Sequence, residues 1–168
     1  IHALNDDKNC IGFMIQLPLP EKLQGHKAEI LSLIAPDKDI DWLWGVLTGL
    51  SWIWLIDFLP ATAKAVVTLL KEYDLYNLKW KTITVIWQSN LSGKPLVDEF
   101  IKQEATVYSC NVYTPLGEIK KMCKNSDYII SCTWSVHLIN QDFVRDDQSQ
   151  VLVDVWYGYK DGKAVWDI

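Results

Sequence analysis

Short groups of polar and aromatic residues follow four stretches of β-branched sequence in the second half of the chain. The segment Trp87 to Ser89 follows the first stretch, and Val112 lies just beyond the second. Thr133 and Trp134 follow the third stretch, and Tyr157 comes soon after the fourth. Because the carboxyl ends of parallel strands meet at one edge of a sheet, where nucleotides bind, these residues are candidates for nucleotide binding.

The elements that would position these residues alternate regularly along the chain. Runs of β-branched residues predict four strands, at Thr82–Ile86, Thr106–Cys110, Tyr128–Cys132 and Val151–Val155. Apolar residues at helical spacing predict helices at 63–73, with Thr62 as a possible N-cap, at 95–103 and at 116–123. Strands that alternate with helices indicate an α/β fold with a doubly wound parallel sheet that is covered on both faces.

Two further patterns lie outside this alternation. The apolar run Cys10–Pro20 ends in two prolines, which predicts a buried strand that enters a loop. Asp161-Gly162 is typical of a tight hairpin turn. We place a domain boundary between residues 60 and 61. Because the chain opens in what reads as the end of a helix, we expect it to be a fragment of a longer protein.

Composition and charge disfavour several classes of function. An apolar share of 49% and a charged share of 22% describe an ordinary soluble globular protein. The net charge of −5 does not favour nucleic acid or an anionic membrane as a partner, and the most apolar stretch, Leu43–Leu59, is short for a membrane helix. Four cysteines without a CxxC pair predict reduced core residues and a cytoplasmic protein, and three dispersed histidines predict no metal site.

Tryptophan is over-represented in the chain and glycine is under-represented. The chain has nine Trp and eight Gly, whereas an average glycine usage of roughly 7% would give about twelve. Trp87 stands at the first position of the turn after the first predicted strand, where the close approach of a phosphate usually needs glycine. A tryptophan there would block that approach, so this residue conflicts with the nucleotide-binding prediction.

Five motifs occur in order along nearly the whole chain: IGFMIQLPLP, PDKDID, PATAKAVVTLL, QSNLSGKP and VDVWYGYKDGKAVWDI. Together they resemble the methylenetetrahydrofolate dehydrogenase/cyclohydrolase family. The resemblance implies that residues 1–60 are the C-terminal part of a catalytic, folate-binding domain and that residues 61–168 are a Rossmann-like NAD(P)-binding domain. It also implies NADP or NAD as the cofactor, a tetrahydrofolate derivative as the substrate and a homodimer formed through the cofactor domain.

The family oxidises 5,10-methylenetetrahydrofolate with NAD(P)⁺ and hydrolyses the methenyl product to 10-formyltetrahydrofolate. Carried over by motif, Gln16 would support the active-site lysine, and Asp41 would hold the pterin through two hydrogen bonds. Without the motif, Gln16 would be interpreted as a polar strand-end residue and Asp41 as a solvated loop acid. The family's catalytic lysine lies upstream of residue 1 and its folate loop downstream of residue 168, so we expect the chain alone to be inactive.

The same resemblance assigns residues to the cofactor. Trp87, Gln88 and Ser89 match the family's Gly-Arg-Ser, with Ser89 identical. Further cofactor contacts are implied at Val112, Thr133, Trp134 and Tyr157, the last beside the nicotinamide. Because Gln88 replaces an arginine that often pairs with the 2′-phosphate of NADP, the sequence favours NAD.

Many of the tryptophans coincide with glycines of the family. Trp42, Trp87, Trp134, Trp156 and Trp166 fall on motif glycines, Trp80 falls in a Lys-Gly-Lys pattern, and Trp44, Trp52 and Trp54 lie in a segment interpreted as a loop. Our hypothesis is that their codons are UGA, which one variant code reads as Trp and another as Gly. The alternative to recoded codons is a drifted pseudoenzyme. The alternative function is a non-catalytic dinucleotide-binding or dimerisation module that has lost its glycine turns. A dehydrogenase without cyclohydrolase activity also stays open.

Overall fold

The computed structural model describes residues 1–41, 45–160, 162–166 and 168. Trp42, Trp44 and Asp161, on which parts of the sequence predictions rest, lie outside these ranges. The chain divides into two units, Ile1–Ala61 and Thr62–Ile168. The predicted boundary lay between residues 60 and 61, and the assignment of the first unit to a folate-binding domain stays a prediction.

Short helices build the first unit. They are α1 at His2–Asp6, a 3-10 helix at Glu21–His26, α2 at Lys27–Ser32 and α3 at Gly45–Trp52. The predicted loop around Trp52 is wrong, because Trp52 is the last residue of α3. No proline interrupts the apolar sequence of α3, so a helix can form there.

The predicted strand within Cys10–Pro20 is also wrong. Phe13 forms a single parallel bridge with Asp39, and no strand extends from it in the described part of the first unit. Ile11 is 93% exposed, so the apolar run is not buried as a strand. The two prolines that end the run have no N–H to donate, and one bridge cannot support a sheet.

A four-stranded parallel sheet forms the centre of the second unit. Its strands are β1 Thr82–Ile86, β2 Thr106–Cys110, β3 Tyr128–Ser131 and β4 Val151–Asp154, in the order β2-β1-β3-β4. β1 and β2 have the predicted bounds, whereas β3 and β4 each end one residue earlier. The predicted α/β fold with a parallel sheet is confirmed.

Helices precede β1 and connect the strands. They are α4 at Ala61–Glu72, α5 at Gly93–Lys102 between β1 and β2, and α6 at Leu116–Asn125 between β2 and β3. Thr62 is not an N-cap, since α4 begins at Ala61 and Thr62 lies in its first turn. α5 begins at Gly93 rather than Pro95, because the hydroxyl of Ser89 accepts a hydrogen bond from the Gly93 N–H.

The core of the second unit lies on the central strands β1 and β3, which are almost wholly buried. One apolar cluster consists of Ile86, Cys110, Ile119, Cys123, Ile129, Ile139 and Phe143. All four cysteines are free, and Cys110, Cys123 and Cys132 are buried, which confirms the core prediction for these three. Burial, more than the neighbouring Cys110, raises the pKa of Cys123 to about 12, so its thiol stays protonated and unreactive.

An antiparallel hairpin follows β4. It pairs β5 at Tyr157–Lys160 with β6 at Lys163–Trp166, and Gly162 in the turn has a φ of +75°. At Gly158 a Cβ would lie 2.5 Å from Val136 Cγ2, in the loop after β3. This close approach holds the hairpin beside the carboxyl ends of the sheet strands.

The described residues include no helix with the length and apolarity that a membrane span requires. Nor do they contain a group of three His, Cys, Asp or Glu residues placed to hold a metal ion.

Candidate functional site

The strand order creates a switch point between β1 and β3. The chain passes from β1 to β2 on one side of β1 and then returns to β3 on its other side. In open parallel sheets, ligands bind outside the carboxyl ends of the strands at this reversal. The residues just beyond β1 and β3, Trp87 and Thr133-Trp134, therefore occupy the position where this fold binds its ligands.

A cleft of about 750 Å³ opens at this edge of the sheet. It is lined by the ends of β1, β2 and β3 and by the start of α6, through Ile86, Trp87, Asn111, Val112, Tyr113, Thr114, Pro115, Leu116, Ile119, Thr133, Trp134, Ser135 and Leu138. Its size is typical of a small-molecule or cofactor site, and apolar walls with a few polar groups are typical as well. The cleft brings together four of the predicted residues: Trp87, Val112, Thr133 and Trp134.

Trp87 is held by backbone contacts on both sides of the turn after β1. Its N–H donates to Cys110 O at 2.9 Å, which extends the pairing of β1 with β2 by one residue. Its carbonyl packs against Gly93, where a Cβ would lie 1.8 Å from the Trp87 oxygen. The φ of Trp87 is +83°, and its side chain is 42% exposed on the cleft. The indole thus occupies the face of the turn that a phosphate would approach.

Ser89 organises the turn from β1 to α5. Its hydroxyl oxygen accepts hydrogen bonds from the N–H groups of Ser92 at 3.1 Å and Gly93 at 3.3 Å. It also lies 2.5 Å from the Ser92 hydroxyl, which is fully buried. Ser89 therefore satisfies donors at the start of α5, as an N-terminal capping side chain does.

Gln88 points along the carboxyl edge toward β2 and does not line the cleft. Its amide nitrogen donates to the Ser109 hydroxyl at 2.9 Å, and its amide oxygen accepts from the Asn111 side chain at 3.3 Å. Neither contact involves a cation. Gln88 thus joins the ends of β1 and β2 and leaves an uncharged surface at that corner of the site.

The loop after β2 forms the outer rim of the cleft. The Asn111 side chain accepts from the Tyr113 N–H at 2.9 Å, and the Thr114 hydroxyl accepts from the Asn111 N–H at 3.0 Å. These bonds fix a tight polar turn and leave Val112 and Tyr113 exposed. Val112 is therefore an apolar side chain at the rim, where a ligand can contact it.

The segment after β3 meets the end of β4 through aromatic contacts. Thr133 is buried, and its hydroxyl accepts from the Ser135 N–H at 3.1 Å. The Trp134 and Trp156 rings lie edge to face, with centroids 5.6 Å apart. The Trp156 indole N–H donates to the Ser92 hydroxyl at 3.4 Å, which links β4 to the turn after β1.

Tyr157 lies on the hairpin and not in the cleft. Its ring makes edge contacts with Tyr159 and Trp166, each with centroids 5.7 Å apart. The hairpin reaches the loop after β3, because the His137 N–H donates to Trp166 O at 3.3 Å. The role of Tyr157 beside a nicotinamide stays a prediction.

The sequence model of the family described as tetrahydrofolate dehydrogenase/cyclohydrolase, NAD(P)-binding domain, matches residues 60–168. The chain belongs to this family. The match covers the sheet, the cleft and the hairpin, so the switch-point cleft lies within the part that corresponds to the family's NAD(P)-binding domain.

Curated relatives of the same family are similar over the whole chain. The bifunctional protein FolD of Lactobacillus acidophilus is 36% identical over 168 residues, which are 100% of this chain and 57% of the relative. FolD of Clostridium tetani is 33% identical and is covered over 58% of its length. The chain thus spans little more than half the length of the family members it matches.

Solved structures of family members share the fold. The FolD dehydrogenase/cyclohydrolase of Campylobacter jejuni has a TM-score of 0.88 at 31% identity, with 99% of this chain and 57% of that chain covered. The Trypanosoma brucei enzyme, solved in complex with NADP cofactor and inhibitor, has a TM-score of 0.88 at 27% identity, with the same coverage.

Gln16 and Asp41, the residues predicted for the folate side of this family member, lie in the first unit. Gln16 is exposed, and its side chain donates to Leu17 O at 3.1 Å. Asp41 is half-buried, and its N–H donates to the carboxylate of Asp39 at 3.3 Å. Burial first, and then the charge of Asp39, raise the pKa of Asp41 above its usual range. The catalytic roles of both residues stay predictions.

Sequence reasoning missed the structural role of Ser92. Ser92 is buried between Ser89 and Trp156, so it joins the turn after β1 to the end of β4. The motif that contains Ser92 and Gly93 was recognised, but its serine carries no local signal. Only the position of Trp156, which is 64 residues away, makes this hydroxyl a junction.

Proposed function

We propose that this chain forms the cofactor unit, and part of the folate-binding unit, of a methylenetetrahydrofolate dehydrogenase/methenyltetrahydrofolate cyclohydrolase. The observation that carries the proposal is the match of residues 60–168 to the NAD(P)-binding domain of the family. The cleft at the switch point supports it, since the predicted residues Trp87, Val112, Thr133 and Trp134 line that cleft. Cleft volume and apolar walls fit a nucleotide, whereas the indole of Trp87 does not fit a pyrophosphate.

The proposed reaction has two steps. The methylene carbon between N5 and N10 of tetrahydrofolate gives up a hydride and becomes the methenyl cation, and water then adds and opens the ring to 10-formyltetrahydrofolate with loss of a proton. A bound nicotinamide supplies the hydride acceptor. The ends of β1, β2 and β3 orient the cofactor, and Asp41 as a carboxylate accepts hydrogen bonds from the pterin.

NAD is the cofactor that we propose for this site. The described lining of the cleft contains neither Lys nor Arg, and Gln88 is bound to neutral partners. A 2′-phosphate binds most strongly to a guanidinium or ammonium group, so NADP would lose that interaction here.

Two further properties belong to this proposal. A homodimer through the cofactor unit is supported by the resemblance to the family. The product is a formyl donor, which places the reaction in one-carbon metabolism that supplies purine biosynthesis. Free, mostly buried cysteines fit a cytoplasmic protein. Sedimentation at several concentrations tests the dimer, and a monomer at all of them would contradict it.

The decisive experiment is a titration of the purified chain and of its Trp87→Gly variant with NAD⁺ and NADP⁺ by calorimetry. We expect the variant to bind NAD⁺ more tightly than NADP⁺. In the Trp87→Gly background, Ser135→Asp places a carboxylate at the exposed wall of the cleft. It should weaken the affinities for both NAD⁺ and NADP⁺, because the carboxylate repels their phosphates. Ser149→Asp is the matched control, since Ser149 is exposed and lies outside the cleft lining.

Binding of neither dinucleotide to any variant would overturn the assignment. In the full-length protein, binding of NAD⁺ without binding of 5,10-methenyltetrahydrofolate would favour the alternative function, a non-catalytic dinucleotide-binding or dimerisation module. The folate-binding role is tested with Asp41→Asn in the same protein. This change should weaken the affinity for 5,10-methenyltetrahydrofolate and leave the affinity for NAD⁺ unchanged. Asp37→Asn, an exposed neighbour in the same segment, is its control.

A further inference from the structure

Tryptophan is concentrated where the backbone has a positive φ. Seven non-glycine residues of the described chain have a positive φ, and three of them are Trp54, Trp80 and Trp87. Tryptophan supplies only nine of the 168 residues. A positive φ is a rare conformation for a bulky L-residue and an ordinary one for glycine.

Trp54 occupies the glycine position of a helix end. After α3, the Leu55 N–H donates to Leu50 O at 3.0 Å, and the Trp54 N–H donates to Ser51 O at 2.8 Å. These two bonds define a Schellman motif, in which the residue after the C-cap is left-handed and usually glycine. Trp54 is that residue, with a φ of +58°.

Trp80 occupies the glycine position of a β-turn. The Lys81 N–H donates to Leu78 O at 2.9 Å, so Trp80 is the third residue of a four-residue turn. Its φ is +66°, whereas Lys79 is not among the residues with a positive φ. A positive φ at the third residue alone is the pattern of a type II turn, which requires glycine or asparagine there. The Trp80 side chain is 84% exposed, so packing does not compensate.

Trp87 occupies a third kind of glycine position, the end of a strand that meets a helix. Its N–H is fixed to Cys110 O, and its carbonyl is in contact with Gly93, so the backbone on both sides of the residue is constrained. Between these two contacts the φ of Trp87 is +83°. A side chain at this position projects into the cleft that the cofactor would occupy.

We propose that the backbone at positions 54, 80 and 87 is shaped for glycine, that the polypeptide made in the cell carries glycine there, and that glycine at 87 opens the dinucleotide site. UGA codons at the three positions would explain why the sequence has Trp where the protein has glycine, because one variant code reads UGA as Trp and another reads it as Gly. Three different local structures, a helix end, a turn and a strand end, favour glycine independently. The clause on position 87 rests on the proposed function, and the clauses on positions 54 and 80 do not.

The C-terminal ends of α4 and α5 show which residues occupy the same left-handed position in this chain. α4 and α5 end with the same two bonds, and their left-handed residues are Asp74 and Glu104. Aspartate can adopt this conformation at lower cost because its short polar side chain can hydrogen-bond locally, whereas Glu104 carries the penalty of its Cβ. Only α3 places a large aromatic residue there among these three helices.

The test is the change in folding equilibrium when each tryptophan is replaced. Trp54→Gly, Trp80→Gly and Trp87→Gly should each raise the folding constant about fivefold in urea unfolding, because a left-handed φ penalises any residue with a Cβ. Trp→Ala at the same positions should give little gain, since alanine keeps the Cβ. If the parent chain does not fold, each position is compared as Gly and Ala in the background that carries the other two glycines.

Trp52→Gly is the matched control. Trp52 lies two residues before Trp54, is exposed to a similar extent, and ends the regular part of α3. Glycine there should lower the folding constant, because it weakens a helix. Equal effects of glycine and alanine at 54 and 80, or a loss of stability with Trp54→Gly like that of Trp52→Gly, would overturn the proposal.

Two readouts separate this inference from the proposed function. Trp87→Gly should gain NAD⁺ affinity while Trp80→Gly does not; gains in stability without any NAD⁺ binding would contradict the function and leave the glycine assignment intact. Peptide sequencing by mass spectrometry of the protein from its own cells should show glycine at 54, 80 and 87. Tryptophan at these positions would refute the assignment.

Discussion

At the scale of single residues, the hydroxyl of Ser89 carries the clearest structural role in the site. It accepts two backbone hydrogen bonds from the start of α5 and contacts the buried Ser92 hydroxyl. A residue expected to bind the cofactor thus also fixes the turn that would face it. Binding and stability at this position are therefore coupled.

Replacing Ser89 by Ala should lower the free energy of unfolding by about 1 kcal/mol, because two N–H groups at the helix start lose their acceptor. Urea unfolding followed by far-UV circular dichroism measures the change. Ser135→Ala, an exposed serine in the same cleft, should change stability little. A Ser89→Thr variant with the stability of the parent would support the role of the hydroxyl as the acceptor. A Ser89→Ala variant with unchanged stability would show that water replaces the hydroxyl.

Asp41, which is predicted to bind the pterin, is expected to reduce stability at neutral pH. Burial and the charge of Asp39 raise its pKa, so the folded state disfavours the carboxylate at neutral pH. Stability linked to this group is present below the ordinary carboxyl range and is lost as pH rises through the raised pKa.

We therefore expect Asp41→Asn to unfold at a higher urea concentration than the parent at pH 7. The difference should shrink as pH falls through the raised pKa and vanish only below the ordinary aspartate pKa of about 3.9, where Asp41 is protonated in both states. Asp37→Asn, at an exposed position in the same segment, is the control. An Asp41→Asn variant that is less stable at pH 7 would mean that the carboxylate has a favourable partner.

Gln88 decides cofactor preference in our interpretation. In the Trp87→Gly background, Gln88→Arg should raise the affinity for NADP⁺ about tenfold, because a guanidinium forms charge-assisted hydrogen bonds with the 2′-phosphate. The affinity for NAD⁺ should change little. Gln141→Arg, at an exposed position outside the cleft, is the control in the same calorimetric titration. An equal gain for both dinucleotides would indicate a general charge effect.

At the scale of elements, the junction of β1 and α5 is set by backbone packing. Gly93 is buried, and a Cβ there would lie 1.8 Å from Trp87 O and 2.9 Å from Trp87 C. Only a glycine lets the first turn of α5 approach the end of β1 this closely. The same contact fixes the carbonyl of Trp87 and so the shape of the turn.

Gly93→Ala should therefore destabilise the chain by about 2 kcal/mol, because backbone atoms must move to admit the methyl group. Gly117 in the first turn of α6 is the matched control, since nothing lies within 4 Å of a Cβ there. Gly117→Ala should instead stabilise by about 0.5 kcal/mol. Thermal and urea unfolding of both variants measure these opposite changes in the free energy of unfolding. A Gly93→Ala variant as stable as the parent would contradict the packing argument.

At the scale of the whole molecule, the second unit contains the elements that form the proposed cofactor site. The four strands, the helices between them and the hairpin all lie within Thr62–Ile168. The cleft is lined only by residues of this unit in the described structure. A domain with its own core can fold alone.

Residues 60–168 expressed by themselves, with Trp87→Gly, should unfold cooperatively and bind NAD⁺ as tightly as the full chain with the same replacement. Near-UV circular dichroism and calorimetry measure the two properties. A collapsed product without near-UV signal, or a large loss of affinity, would show that the first unit is needed.

The amino-acid sequence determined the family and the strands of the parallel sheet. It gave the bounds of β1 and β2 to the residue, because strand propensity depends on local side-chain type: β1 consists of β-branched residues, and β2 begins with Thr and Val and contains Tyr. Motifs in order indicated the cofactor fold, and the coincidence of tryptophans with family glycines follows from the motifs alone. These properties depend on neighbours in the chain, which a sequence records directly.

Tertiary structure alone decided the rest. The strand predicted within Cys10–Pro20 does not form, because the segment has no described strand partner beyond one bridge with Asp39. Trp52 lies in a helix and not in the predicted loop. It brought Trp156 to Ser92 and showed which tryptophans have a left-handed backbone. The bridge to Asp39 and the contact between Trp156 and Ser92 join residues far apart in the chain, which no local pattern encodes, and a left-handed backbone at a tryptophan cannot be read from its side-chain type.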